Sequence, residues 1–288
     1  MIIDSHVHYS HHLYEGEYRY IGHSNGKPVL SRSDRQGMLA DLQECGVDFC
    51  IEPSTHLSLI DHQLDVVDQH SPYLRFALGV HPKYCHETTW GDRERLREYV
   101  LSHNPIAIGE TGLDYSVEPS QLKKLYQKMW FFYQIRLADE MHLPLILHFR
   151  DAYPDGLKLL TRHRDMLHGG VTHCFSQDYQ TAMDFIDLGF AIGIGGKLLS
   201  DNDEGLRLQD TVRRIPLESI IVETDAPYIK PNLAIESCSP SQRNKARNSS
   251  AILHTVIDKI AELRGENRDF VEETIYRTTL HVFQLSAN

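Results

Sequence analysis

Eight short runs along the chain are apolar at nearly every position, the pattern of parallel strands covered by helices on both faces. They are residues 2–3 leading to His8, then 48–51, 75–80, 106–109, 143–147, 170–173, 190–194 and 219–222. The segments between them carry a helical period. Leu122, Leu125, Met129, Phe132 and Ile135 recur at three and four and predict one apolar stripe facing the core. Ser33 ahead of Met38, Leu39 and Leu42, and Asp178 ahead of Ala182, Phe185 and Ile186, read as N-caps. After the eighth run, Ile252, Val256, Ile260 and Leu263, and then Phe270 to Phe283, predict two further helices. Eight strand–helix alternations in roughly 250 residues predict an α/β fold of the TIM (β/α)8 type, since doubly wound sheets have fewer strands.

Two stretches break the rhythm. Residues 9–33, with Tyr14, Tyr18, Tyr20, Gly16, Gly22 and Gly26, and residues 228–248 are long for connections between strand and helix. Loops of this length are lids or disordered segments, and both leave the carboxyl ends of strands, the active face of a barrel. No internal repeat or linker divides the chain, so residues 1–288 are expected to form a single domain with extra C-terminal helices.

Composition narrows the class. With 41% hydrophobic and 24% charged residues the chain lies far from the compositions that stay disordered, and at 288 residues it buries enough surface to need no disulfides. No apolar run approaches the roughly 20 residues of a membrane span, and the start Met1-Ile2-Ile3-Asp4 lacks a basic leader, so a cytoplasmic location is expected. Cys45, Cys50, Cys85, Cys174 and Cys238 form no C-x-x-C pair and read as free thiols. A formal charge of −11 excludes a general nucleic-acid coat protein but leaves room for a local basic patch. The unusual count is 18 histidines.

Position sorts these histidines. Asp4, His6 and His8 alternate at the end of the first run and are expected to project together into the barrel. Glu110 follows the fourth run, where a carboxylate is costly unless a cation or hydrogen bonds compensate it. His148 and Arg150 end the fifth run, His173 and Cys174 the sixth, and Glu223 and Asp225 the eighth. Any one of these has a plain alternative: a core histidine satisfied by backbone, or a carboxylate capping a loop. Together, His6, His8, Glu110, His148, His173 and Asp225 point to metal ligation. Four imidazoles and two carboxylates exceed what one catalytic zinc takes, so two divalent ions are expected, with Glu110 as the bridging carboxylate. Zinc, magnesium and manganese all remain open.

The ordered motifs Asp4-Ser5-His6-Val7-His8, Gly79-Val80-His81-Pro82, Gly109-Glu110-Thr111-Gly112-Leu113-Asp114, His148-Phe149-Arg150-Asp151-Ala152, His173-Cys174-Phe175 and Glu223-Thr224-Asp225-Ala226-Pro227-Tyr228 resemble the signatures of the TatD family of metal-dependent hydrolases, in the amidohydrolase superfamily. The resemblance runs from residue 2 to about 285. It implies a TIM barrel and a deoxyribonuclease activity. It further implies that His6, His8 and Asp225 hold one metal and His148 and His173 the other, with Glu110 between, and that His81 lies near the substrate, at a phosphate. The chain departs from the family pattern at Arg243 to Ser250, which keeps the charge of the family's basic stretch but not its glycine or Glu-Pro. It departs also in the length of 9–33 and in the replacement of an Asn-Phe around 278–283.

The expected chemistry is phosphodiester hydrolysis by a water activated by two divalent ions, with Asp225 accepting its proton and Glu110 bridging. His81, Arg150, Arg243, Lys245 and Arg247 are the candidate substrate contacts, the last three for flanking phosphates or as a solvated stretch opening a helix. The expected partner is a nucleic acid: single-stranded DNA, or a tRNA-linked ester if the same site instead serves as a D-aminoacyl-tRNA deacylase. A catalytically silent metal-binding protein is the third reading.

Overall fold

The computed structural model describes every residue except Trp90, Ala234, Glu236, Ser237, Ala287 and Asn288. Part of the 228–248 loop therefore lies outside the described residues. Strands follow in the order β1 (Ile2–Asp4), β2 (Tyr18–Ser24), β3 (Lys27–Ser33), β4 (Val47–Pro53), β5 (Leu74–Ala77), β6 (Ile108–Asp114), β7 (Leu145–Arg150), β8 (Gly170–Thr172), β9 (Phe190–Ile194) and β10 (Ile220–Val222). Helices are α1 (Arg35–Glu44), α2 (Ile60–Gln69), α3 (Gly91–His103), α4 (Gln121–Met141), α5 (Tyr153–Arg162), α6 (Tyr179–Ile186), α7 (Asp203–Arg214), α8 (Pro240–Lys245), α9 (Leu253–Arg264) and α10 (Arg268–Val282).

All eight apolar runs become parallel strands, in a three-stranded sheet β1-β4-β5 and a five-stranded sheet β10-β9-β8-β7-β6. Isolated parallel bridges join the two sheets at both edges, Val7 with Ala226 and Leu78 with Ile108. The strands thus follow one another around a TIM-type barrel. Its interior is filled by Ile3, Phe49, Ile51, Ala77, Ala107, Ile146, Val171, Ala191 and Ile221, and Tyr276 and Leu280 of α10, with Phe283 just after it, pack against them as a floor. The altered stretch at 278–283 therefore serves the packing of the barrel. The alternate strand residues, among them Ile2, Ile108, Leu145 and Leu147, face the surrounding helices.

Three expectations are corrected. The N-cap of α1 is Asp34, whose Oδ1 accepts from Gly37 N at 2.9 Å, because Ser33 is still paired in β3; Asp178 caps α6 as expected. The stripe Leu122, Leu125, Met129 lies on the solvent side of α4, at 63%, 53% and 39% exposure, while Gln127, Trp130, Phe131, Gln134 and Ile135 are buried. Polar residues on the inner face hid it from a reading based on apolar spacing. Finally, residues 9–33 are neither a loose lid nor disordered. They form the antiparallel hairpin β2–β3, and Tyr9, Tyr14, Tyr18 and Tyr20 are buried under it. The chain beyond α8 docks on this hairpin: Ile21 N donates to Arg247 O at 3.0 Å, and Tyr14 OH to Asn248 O at 2.7 Å. The end of the second irregular stretch is thus tied to the first.

Candidate metal centre

Strand parity delivers part of the site and local irregularities deliver the rest. Ile146 and Val171 point into the barrel, so His148 and His173, two residues on, do so as well. Ile221 leads in the same way to Glu223 and Asp225. Glu110 stands two residues after Ile108, which faces the helices, and would follow it outward. The pairing of β6 with β7 shifts between Ile108 and Thr111, and this re-aims Glu110 inward. Gly112 tolerates the resulting backbone path (φ +143°); a Cβ there would meet the His148 carbonyl oxygen at 2.0 Å. Asp225 itself sits at φ +53°, a conformation costly for a non-glycine residue.

The six candidate ligands converge. Glu110 Oε1 lies 3.5 Å from His6 Nε2 and 3.4 Å from His8 Nε2, and Asp225 Oδ1 lies 3.8 and 3.4 Å from the same two nitrogens. The other oxygen of Glu110, Oε2, lies 3.1 Å from His173 Nε2 and 3.4 Å from His148 Nδ1. Asp4 does not join them, contrary to expectation. The chain bends at Ser5, and the Asp4 carboxylate accepts from Thr224 Oγ1 and Ser250 Oγ, both at 2.7 Å, which ties β1 to the chain beyond β10.

These donors fit divalent cations. His6 Nε2 and His8 Nε2 approach to 3.3 Å, and His148 Nδ1 and His173 Nε2 to 2.9 Å, nitrogen against nitrogen. Donors about 2.1 Å from a tetrahedral ion stand roughly 3.4 Å apart, close to the spacing seen here. Burial pushes Glu110 upward, yet the surrounding imidazoles, His6 foremost and His148 through a hydrogen bond, hold it well below the usual carboxylate range. Burial also drives His81 down to about 3 and His173 to about 4, leaving both neutral, the form in which imidazole ligates a metal. His8 goes the other way: burial disfavours its charge, but Asp225 and Glu110 raise it to about 9.

The remaining candidates are less uniform in position. His81 belongs to the cluster, with Nε2 3.8 Å from Glu110 Oε2 and its ring 4.2 Å from that of His148. Arg150 is exposed at the end of β7. Arg243 donates to the Leu233 carbonyl at 3.0 Å, and the guanidinium of Arg247 stacks on Tyr18 at 4.2 Å, so both are engaged internally, whereas Lys245 is exposed. Beside the cluster opens a cleft of about 430 Å³ whose walls include His8, His11, His12, His62, Tyr84 and Tyr228.

Several residues that shape the site have no role in it assigned from the sequence, although Asp114 and Glu223 stand in the motifs. Asp114 Oδ2 lies 3.4 Å from His148 Nε2, and His81, Asp114 and His148 form a third set of potential ligands. Glu223 Oε1 accepts from Cys174 N and lies 3.9 Å from His173 Nδ1. Gln127 and Gln134 on the inner face of α4 each bracket one backbone unit at a strand exit. Gln134 Oε1 accepts from Val80 N at 2.8 Å and its Nε2 donates to Val80 O at 3.1 Å. Gln127 does the same for Asp114, at 3.0 and 2.9 Å. Their spacing of one heptad on a buried helix face is the only trace they leave. Asn248 donates to Thr224 O and Tyr228 O, holding the loop that carries Asp225.

A barrel with histidines and carboxylates clustered at the carboxyl ends of its strands has the donor set of a metal-dependent enzyme. Residues 3–284 match the family described as TatD related DNase, and the chain belongs to that family. It is 32% identical over 264 residues to an uncharacterized metal-dependent hydrolase, YcfH, of Escherichia coli (strain K12), covering 92% of this chain and 88% of that protein. It is 33% identical over 222 residues to the 3'-5' ssDNA/RNA exonuclease TatD of Rahnella sp. (strain Y9602), covering 77% and 81%. Among solved structures, the TatD homolog YJJV from Escherichia coli K12 superposes with a TM-score of 0.82 at 25% identity, covering 99% of this chain and 98% of that one.

Proposed function

We propose that this protein hydrolyses phosphodiester bonds in single-stranded nucleic acid, using two divalent ions. His6, His8 and Asp225 would hold one ion, His148 and His173 the second, and Glu110 would bridge. The observation that carries the reading is the placement of Glu110, one oxygen toward each group of imidazoles. Ions so held supply Lewis acidity, lowering the pKa of water from 15.7 toward about 7 and offsetting charge on the phosphoryl oxygens. The neighbouring imidazoles outweigh burial and lower the pKa of Asp225, so it is ionised at neutral pH and available to accept the proton of the attacking water. His81, beside Glu110, and Arg150, at the exit of β7, would orient the scissile phosphate, and Lys245 would meet a phosphate further out. Tyr84 and Tyr228 offer faces on which a terminal base can stack. The relative named as a 3'-5' ssDNA/RNA exonuclease supports an exonucleolytic mode. Five free cysteines suit a reducing compartment and support a cytoplasmic location.

The test is a substrate panel: end-labelled single-stranded DNA and RNA against D-aminoacyl-tRNA, with added metal and with EDTA. Metal-dependent shortening of the strand, abolished by EDTA and reduced at least 100-fold in Asp225→Asn, an effect on the order of that for a catalytic base, is the expected result. Ester hydrolysis without strand cleavage would transfer the site to deacylation, and an Asp225→Asn variant as active as wild type would remove it from the chemistry.

A further inference from the structure

A polyanion entering a chain of formal charge −11 needs a local positive path. Arg243 and Arg247, the sequence candidates for it, direct their guanidinium groups inward. Another set of cations leads away from the cleft, with one carboxylate among them, Glu87, whose Oε1 lies 3.9 Å from His86 Nε2. Tyr84 lines the cleft, and Lys83 Nζ stands 5.5 Å from the Tyr84 ring. Two residues further, His86 Nε2 lies 3.3 Å from Lys123 Nζ, in the first turn of α4. Next to it, Lys124 Nζ lies 4.4 Å from the Tyr115 ring, and Tyr115 N is bonded to Arg150 O at 2.8 Å. Among the described residues, Lys83, Lys123, Lys124 and Arg150 form no ion pair with a carboxylate, while Asp155 nearby is paired with Lys128.

Two features set this ridge apart from an ordinary solvated surface. The first turn of α4 contains no acidic residue and carries two lysines, opposite to what the helix dipole favours, so their placement is a local cost. Beside them Leu122 and Tyr126 are 63% and 40% exposed, continuing the apolar and aromatic surface on which bases pack.

We infer that the ridge formed by Lys83, Lys123 and Lys124, with Tyr115 and Tyr126, is an extended binding site for the part of a single strand that lies outside the cleft. This rests on the phosphodiesterase reading for its substrate class. The lysines take successive phosphates and the tyrosines and Leu122 take bases, without sequence preference.

The experiment measures binding of fluorescein-labelled dT20 by anisotropy in EDTA, across a salt series, so that no cleavage is required. For the triple variant Lys83→Glu, Lys123→Glu, Lys124→Glu, Kd is expected to rise at least tenfold. The slope of log K against log salt should shrink by about 2, at roughly 0.7 per phosphate contact. The corresponding triple Lys→Arg variant should bind as wild type, as should Lys259→Glu, a charge reversal on α9. A triple Glu variant with unchanged affinity and slope would overturn the ridge even if wild type cleaves the strand with metal present. Loss of affinity in the triple variant would support it even if wild type cleaves nothing, in which case the phosphodiesterase reading alone falls. Unchanged DNA binding together with a dimer dissociated by Leu122→Asp in sedimentation would assign the surface to a second copy of the chain and likewise overturn the proposal.

Discussion

At the scale of single residues, the site depends on side chains that touch no metal. Gln134 is fully buried and supplies both hydrogen bonds of the Val80 peptide, the residue before His81. Gln134→Leu keeps the volume but leaves a buried N–H and a buried C=O unpaired, at roughly 1–3 kcal/mol each, partly offset by the apolar replacement. We expect a loss of about 2–4 kcal/mol in urea unfolding, with a larger effect on strand cleavage than on metal affinity because His81 is displaced; an unfolding midpoint within error of wild type would refute this role. The histidines and carboxylates were legible because each follows an apolar run. Asp4 and Glu110 show the limit of that legibility. Ile3 points into the barrel, so alternation leaves Asp4 outside the cluster and would leave His6 and Glu110 outside it too; a bend at Ser5 and a shift in pairing before Thr111 bring His6 and Glu110 in.

Elements are joined at places where the sequence shows only isolated polar residues. His254, on α9, donates from Nε2 to the carbonyl of Cys45 at the end of α1 at 2.9 Å, accepts at Nδ1 from Arg268 of α10 at 3.3 Å, and stacks on His23 of β2 at 3.9 Å. Both ring nitrogens are committed in the neutral form. Burial, with His23 and Arg268 adding to it, lowers its pKa to about 4. In the unfolded chain the same residue titrates near 6.5, so the unfolded state binds more protons between these values and stability falls as pH drops from 6.5 toward 4. Allowing for partial exposure, His254 should account for on the order of 1–2 kcal/mol of that loss. The thermal midpoint of His254→Gln should therefore decline less steeply than that of wild type over this interval, and an equal slope would refute the clamp. Helix α4 was legible as a helix but not in its orientation, since glutamines occupy the face it buries and leucines the face it exposes. The hairpin β2–β3 was hidden for a related reason: Tyr9 and Tyr14 before it and Tyr18 within it pack against the chain at 247–250, a contact that local spacing does not encode.

For the molecule as a whole, the alternation of strands and helices was enough to reach the barrel, because each buried strand is apolar on both faces and each connection is helical. The charge balance was a weaker guide. A net charge of −11 describes the surface at large, whereas the proposed chemistry depends on a buried cluster of imidazoles around one carboxylate and on a few lysines beside its mouth. The central claim is that Glu110 joins two cation sites into one catalytic centre. Titration of the EDTA-stripped protein with manganese or zinc, followed by calorimetry and elemental analysis, tests it most directly. Two ions per chain in wild type, and at most one retained at comparable affinity in Glu110→Ala, is the predicted result; a single ion in wild type, or two bound undiminished by Glu110→Ala, would contradict it.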